Sequence, residues 1–391
     1  MSTLVAGRYF YCFFVLNFLI TFAFAINDSL FSLYYKGIGV NGVLLGIAFS
    51  LYSFSKIVMT PFTGKLLDRI GAFKILFIGV LLYLIVAIML LYVHNKQLII
   101  LIRVSQGFAC AFFRPVIFYI IGKTTESSFR GKVLGTFDLS FYAAIASAPL
   151  VGGILKNLYG FGFIFKIIIF CCVLSLILVL LSYPAITSKV FTSESNEKIL
   201  NNKQSILLNG LYVYIFFRSW GITCMVILLP LYLSDIGYSE SHIGLLLSLS
   251  TTVMLFSLPF TGRFADTFRK DNLIIIGGVA TSFCLILVPH MNEFYYLVFI
   301  ISICGFFSAM SQPACSSLLI DIASGEAMGT IIGRFNFVMG LGAAVGAFFS
   351  SVTYSYFGMT VAFALAGCLG VLASFTFASL TERYFSKVSY Q

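Results

Sequence analysis

Charge is what this 391-residue chain has least of. Only 10% of its residues are Asp, Glu, Lys or Arg, against 60% hydrophobic, and its mean hydropathy is +1.03. A water-soluble domain carries about a quarter charged residues, so the soluble classes are excluded and the solvent is lipid. Histidine is scarcer still: His94, His242 and His290 lie far apart near the ends of apolar runs and offer no zinc cluster. The nine Cys residues are scattered through apolar runs without metal-ligand spacing, and they read as small packing residues. No Gly-rich loop ends in Gly-Lys-Ser/Thr, so an ATP-driven pump would need a second chain. No grouping of His, Asp or Glu with a nucleophile has the form that enzyme chemistry demands. The chain therefore reads as no enzyme, with no metal and no cofactor.

What the chain does contain is long apolar runs. A bilayer core of about 30 Å needs roughly 20 apolar residues per helix, because unpaired backbone groups in hydrocarbon cost several kcal/mol. Six such runs fall at 9–33, 41–62, 73–93, 97–121, 133–154 and 161–183. Six more fall at 207–233, 241–261, 272–290, 294–320, 328–352 and 357–380, and a short polar tail follows. Phe22-Ala23-Phe24-Ala25 resembles a signal-peptidase site, but cleavage there would leave the halves unequal, so the first run is kept as a span. The stretch 184–206 opens at Pro184, is rich in Ser, Asn, Glu and Lys, and reads as a flexible linker. The expected organisation is an N-terminal six-helix bundle (1–183), a cytoplasmic linker (184–206) and a C-terminal six-helix bundle (207–391).

The two halves repeat. Pro61-Phe62-Thr63-Gly64-Lys65 is echoed by Pro259-Phe260-Thr261-Gly262-Arg263, 198 residues later. The same shift carries Gly39 to Gly237, Gly46 to Gly244, Gly107 to Gly305, Pro115 to Pro313, Phe137 to Phe335 and Gly160 to Gly358. With the N-terminus inside, sixteen Lys and Arg residues fall on the inner segments and four on the outer ones. That bias places both termini and the linker in the cytoplasm. It also accounts for the net charge of +10 without nucleic acid. Six spans return the chain to its starting side, so the repeats are parallel.

Gly64-Lys65-Leu66-Leu67-Asp68-Arg69-Ile70-Gly71-Ala72-Phe73-Lys74 resembles the loop signature between spans 2 and 3 of the major facilitator superfamily, with a degenerate copy at Gly262, Asp266 and Arg269. Arg103-Val104-Ser105-Gln106-Gly107 is similar to that family's Arg-x-x-Gln-Gly motif. Ala148-Pro149-Leu150-Val151-Gly152-Gly153 resembles its Gly-Pro-x-x-Gly-Gly antiporter motif, with Ala148 where a Gly is usual. The resemblance covers essentially the whole chain. It implies an all-α membrane fold of twelve helices in two parallel repeats. It also implies that the loop of Asp68, Arg69 and Lys74 acts as a conformational latch. In this reading Gly64 makes a tight turn as the helix leaves the membrane, and Pro149, Gly152 and Gly153 give the bend and close approach of an antiporter.

Ionisable residues at membrane depth are costly and mark sites. Arg103 and Arg114 lie eleven residues apart on one helix face, and Arg218 lies on the other half, so the three predict a positively lined cavity suited to an anionic group. Lys56 has either a cavity role or a snorkelling one. Asp28 is the expected proton carrier, since a carboxylate in a partly dry pocket exchanges protons as access alternates. Asp138 lies near Arg130 and Lys132 and reads better as their ion-pair partner than as a second titrating group; Asn336 replaces it in the other repeat.

These features predict a secondary transporter that exports a small organic molecule, a drug or an anionic or zwitterionic metabolite such as a siderophore, in exchange for protons. The substrate site is expected between the bundles at mid-membrane. A monomer in the cell membrane suffices. Proton-coupled uptake of a sugar, peptide or organic acid, and a receptor without transport, are the alternatives.

Overall fold

The structure is a computed structural model and describes residues 6–40, 42–93, 95–124, 127–183, 202–322 and 328–386. Most of the expected linker, 184–201, lies outside them. Among the described residues there are helices and no strands, as lipid requires, since a helix satisfies every backbone group within itself.

The helices are α1 (Ala6–Gly37), α2 (Gly42–Ile70), α3 (Ala72–Tyr92) and α4 (Lys96–Thr124), followed by the stretch Ser127–Leu181. That stretch contains an apolar length of 45 residues, about two membrane crossings, and it is interrupted at Gly160 (φ 75°, ψ 179°). We label its arms α5 (127–159) and α6 (161–181). There follow α7 (Asn202–Asp235), α8 (Glu240–Thr267), α9 (Lys270–Leu287) with a 3-10 turn Val288–His290, α10 (Phe294–Ile322), α11 (Met328–Phe357) and α12 (Met359–Ser386). Twelve apolar arms result, and α7 begins five residues before the expected start of its span.

The repeat is visible in the backbone. Shifting α4 by 198 residues gives the bounds of α10, and the left-handed glycines recur in register: Gly39 (φ 72°) with Gly237 (φ 92°), and Gly160 (φ 75°) with Gly358 (φ 84°). At Gly160 the angles are ones only glycine adopts readily, and a Cβ there would meet nothing within 4 Å. Gly160→Ala is therefore expected to destabilise the protein through backbone strain alone, by roughly 1–3 kcal/mol. Thermal unfolding in detergent measures it, and an unchanged midpoint would show that the α5–α6 corner tolerates another conformation.

One expectation is corrected. Gly64 makes no turn: α2 continues through it to Ile70, and the chain reverses at Gly71 (φ 84°), after which α3 starts at once. The helical hydrogen-bond ladder simply runs on past Gly64, because an interior glycine costs a helix only about 1 kcal/mol. The amide of Gly71 still donates to the Leu67 carbonyl at 3.1 Å, and its own carbonyl accepts from Ile75 at 3.4 Å. In the second repeat the position of Gly71 is taken by Arg269, which has an extended backbone.

The chain divides into two compact units. The first comprises the described residues up to 40 with 47–183 and 237–248; the second comprises 42–46, 202–236 and 249–386. In the first unit Asn17 of α1 donates to the Phe137 carbonyl (3.2 Å) and to Ser140 Oγ (2.6 Å) of α5. Tyr83 of α3 stacks on Phe24 at 3.8 Å and donates its hydroxyl to the Ala23 carbonyl at 2.8 Å. In the second unit α7 packs on α11 through Gly342 and Gly346, where a Cβ would strike the Phe216 and Trp220 backbones. Trp220 Nε1 donates to Ser350 Oγ at 3.0 Å.

Candidate functional site

The site of the first unit grows from a constraint of charge. Arg103 sits within α4, is completely buried, and must find counter-charge and hydrogen bonds inside the protein. Its Nη1 donates to Asp28 Oδ1 of α1 at 2.5 Å and to Gln106 Oε1, one turn along α4, at 2.7 Å. Gln106 Nε2 donates to the same Asp28 oxygen at 3.3 Å, and Asn27 Nδ2 donates to Gln106 Oε1 at 3.2 Å. Arg103 Nε and Nη2 have no hydrogen-bond partner. Instead the guanidinium carbon lies 4.0, 4.5 and 4.6 Å from the ring centroids of Phe31, Phe49 and Tyr52. Such faces hold a desolvated cation electrostatically, at about 2 kcal/mol or more each under favourable geometry.

Exposure decides what this cluster presents to a ligand. Arg103 is 0% exposed and Asp28 is 23% exposed, so the carboxylate is the member of the pair that water or a cargo can reach. The sequence suggested that Arg103 lines a cavity and meets substrate. In this arrangement its charge is enclosed and spent on Asp28, which makes it a positioning partner for the carboxylate. Asn27, Phe31, Phe49 and Tyr52 were not singled out from sequence, and Gln106 entered only as a member of the Arg-x-x-Gln-Gly motif. Gln106 had a signal, since it stands three residues from Arg103 on one helix face; the aromatic rings had none, among 44 Phe and 21 Tyr.

The other expected residues lie elsewhere. Asp138 is half-buried on α5 beside Phe137, at the α1–α5 seam, and Asn17 of that seam is eleven residues, about 16 Å, along α1 from Asp28. Lys56 is exposed on α2. Arg218, on α7 in the second unit, is half-buried and its Nη2 donates to Ser308 Oγ of α10 at 3.1 Å. The side chain of Arg114 lies outside the described residues, as do those of Asp68 and Asp266 and the surroundings of Gly64 and Gly262. Arg69 and Lys74 are exposed, flanking Gly71.

Pro149, Gly152 and Gly153 have two packing faces. A Cβ on Gly152 would come within 2.7 Å of Ile26 and 2.9 Å of Leu30 on α1. One on Gly153 would clash with the carbonyl of Glu240 and lie 2.9 Å from Gly244 Cα, at the start of α8. The Leu150 amide, beside the proline, donates to Ser248 Oγ at 2.8 Å, and Lys156 forms an ion pair with Glu240. In the second unit the start of α2 meets α11 in the equivalent way, with Gly46 against Ser351 and Ala347.

Eleven helices among the described residues are long and apolar enough to cross a membrane, one of them broken at Gly160 into two arms, and with a buried ion pair at membrane depth they define a polytopic membrane protein. The chain belongs to the Major Facilitator Superfamily, whose family model matches residues 13–239 and 211–388. It is a multi-pass membrane transporter, and not an enzyme. An uncharacterized MFS-type transporter of Methanocaldococcus jannaschii is 23% identical over 92% of this chain and 91% of its own length. The multidrug resistance protein MdtG of Proteus mirabilis is 26% identical over 70% of each chain, and the quinolone resistance protein NorA of Staphylococcus aureus is 22% identical over 80% of this chain and 81% of its own. Among solved structures, a mutant of the peptide transporter POT superposes with a TM-score of 0.82 at 14% identity, covering 97% of this chain and 95% of that one. A D-xylose-proton symporter superposes with a TM-score of 0.75 at 15% identity, covering 94% and 96%.

Proposed function

We propose that this transporter exports small amphipathic organic molecules in exchange for protons, with Asp28 as the group that alternately binds and releases the proton. The observation that carries the reading is the Asp28–Arg103 pair: an accessible carboxylate held against a guanidinium that has no other ionic partner among the described residues. When Asp28 is protonated, Arg103 loses its counter-charge, so the protonated and deprotonated forms favour different packings of α1 against α4. The names of the relatives support a drug-like cargo, and the loop basicity supports cytoplasmic termini in the plasma membrane. A single chain suffices for the cycle.

The experiment is gradient-driven flux in vesicles of known sidedness, with a quinolone carboxylic acid as the probe. Inverted vesicles with an acidified lumen are expected to accumulate a probe, and dissipating the gradient with nigericin is expected to release it. Accumulation confined to right-side-out vesicles with acid outside would instead make the protein an importer. Absence of any proton-linked flux would overturn the proton coupling.

A further inference from the structure

We propose that Arg218 and Ser308 form an oxyanion-binding subsite, and that the exported cargo bears a carboxylate or a comparable anionic group there. This deepens the export reading and rests on it. Arg218 lies sixteen residues into α7 and seventeen from its end, so about 25 Å of helix separates it from either terminus. Every described acid of the second unit sits at a helix end: Asp235 closes α7, Asp266 is at the end of α8, Asp271 at the start of α9, Glu293 just before α10, Asp321 at its end, and Glu382 near the end of α12. No described carboxylate of the unit therefore sits on its helix at the depth of Arg218.

Consistent with that placement, Arg218 makes no ion pair among the described residues, and its partner Ser308 is neutral. A guanidinium has five N–H donors in a rigid fork; one donates to Ser308, and the neutral Tyr214 hydroxyl also lies beside the fork, which leaves donors over for a ligand. A cation left uncompensated at membrane depth is expensive, so its presence calls for counter-charge from outside the chain. The contrast with Arg103 is direct, since Arg103 is wholly enclosed and paired, whereas Arg218 is half-buried and unpaired. A planar oxyanion satisfies the free edge of the fork by two parallel hydrogen bonds, and the Ser308 hydroxyl stands beside it as a further donor.

The test is equilibrium dialysis of the full chain in a neutral maltoside detergent. The ligands are two matched pairs, 1-naphthoate with its methyl ester and a quinolone carboxylic acid with its methyl ester. The wild type is expected to bind an acid about tenfold or more tightly than its ester, the scale of a charge-assisted hydrogen-bond pair. Arg218→Gln is expected to bind acid and ester alike, while Arg218→Lys retains part of the preference; gel filtration checks that both variants are folded. Equal binding of acid and ester by the wild type, or no binding of either acid, overturns the subsite. Phosphatidylglycerol in the detergent separates the sources of the oxyanion: displacement of the acid by this lipid assigns the subsite to a headgroup and overturns its assignment to cargo. The two readings fail separately. Acid preference without proton-linked flux sinks the export reading alone, and proton-linked flux without acid preference sinks the subsite alone.

Discussion

Asp28→Asn is expected to abolish accumulation against a proton gradient, with a loss on the order of a hundredfold or more, while leaving the protein in the membrane. The reason lies in the burial of Arg103. Its guanidinium is sealed from solvent and Asp28 is its ionic partner, so removing the negative charge leaves an uncompensated cation in a dry setting. Breaking one side of such a pair costs about 3–5 kcal/mol, and each 1.36 kcal/mol is a factor of ten. The variant should therefore be less stable as well as uncoupled. A second substitution separates the two effects: Arg103→Gln in the Asp28→Asn background removes the orphaned charge and is expected to restore the thermal midpoint and downhill exchange, but not uphill transport. Uphill accumulation by Asp28→Asn at the wild-type level would falsify the assignment of the proton to this carboxylate.

Gly153→Val and Gly244→Val are expected to be nearly as damaging for a different reason. These glycines face each other where α5 meets the start of α8, and a side chain on either would run into backbone: the Glu240 carbonyl in one case, the Pro149 carbonyl in the other. Backbone atoms cannot rotate out of the way, so the helices must separate and lose the Leu150–Ser248 hydrogen bond and the Lys156–Glu240 ion pair with them. Overpacking of about 1–3 kcal/mol shifts the balance between packed and separated arrangements by roughly five- to a hundredfold. Flux assays on vesicles containing equal amounts of folded protein should show a loss of about fivefold or more. Gly46→Ala is the control. Its added methyl group would meet Ser351 Cβ at 2.6 Å and the Ala347 carbonyl at 3.1 Å, and a methyl is smaller than the isopropyl group of valine, so a milder effect is expected. Equal activity of all three variants would show that the close approach is not needed for transport.

The spans and the repeat were legible because lipid leaves few options: long apolar runs must be helices, and a constant shift of 198 residues must mean two like halves. Loop boundaries were less legible. Gly64 was read as a turn on its residue type, whereas Gly71 is where the backbone takes a left-handed φ and α3 begins. A helix running past the apolar region leaves no hydropathy signal, since Lys65, Asp68 and Arg69 look the same on a helix as in a loop.

At the site, Asp28 and Arg103 stood out as expensive charges, but their pairing did not. They are 75 residues apart, and helix rotation decides whether they meet. The sequence set Arg103, Arg114 and Arg218 together as one positive lining, and of the three the side chain of Arg114 lies outside the described residues. Fractional exposure separates Arg103 from Arg218, and no sequence pattern carries that quantity. The aromatic enclosure of Arg103 was hidden by abundance, because a Phe beside a cation reads like any other Phe in a chain so rich in them.

The duplicated architecture preserved the frame without preserving its chemistry. The register that aligns glycine with glycine sets Val226 against Asp28 and Ile301 against Arg103, while Ile20 stands opposite Arg218. The two copies thus differ: among the described residues one holds the Asp28–Arg103 ion pair, the other Arg218 against the neutral Ser308. A hybrid built from two first halves would carry two Asp28–Arg103 pairs and lose the guanidinium of the seventh helix; under the proposed roles, the number of protons moved per cycle and the preference for anionic cargo are then expected to prove separable traits.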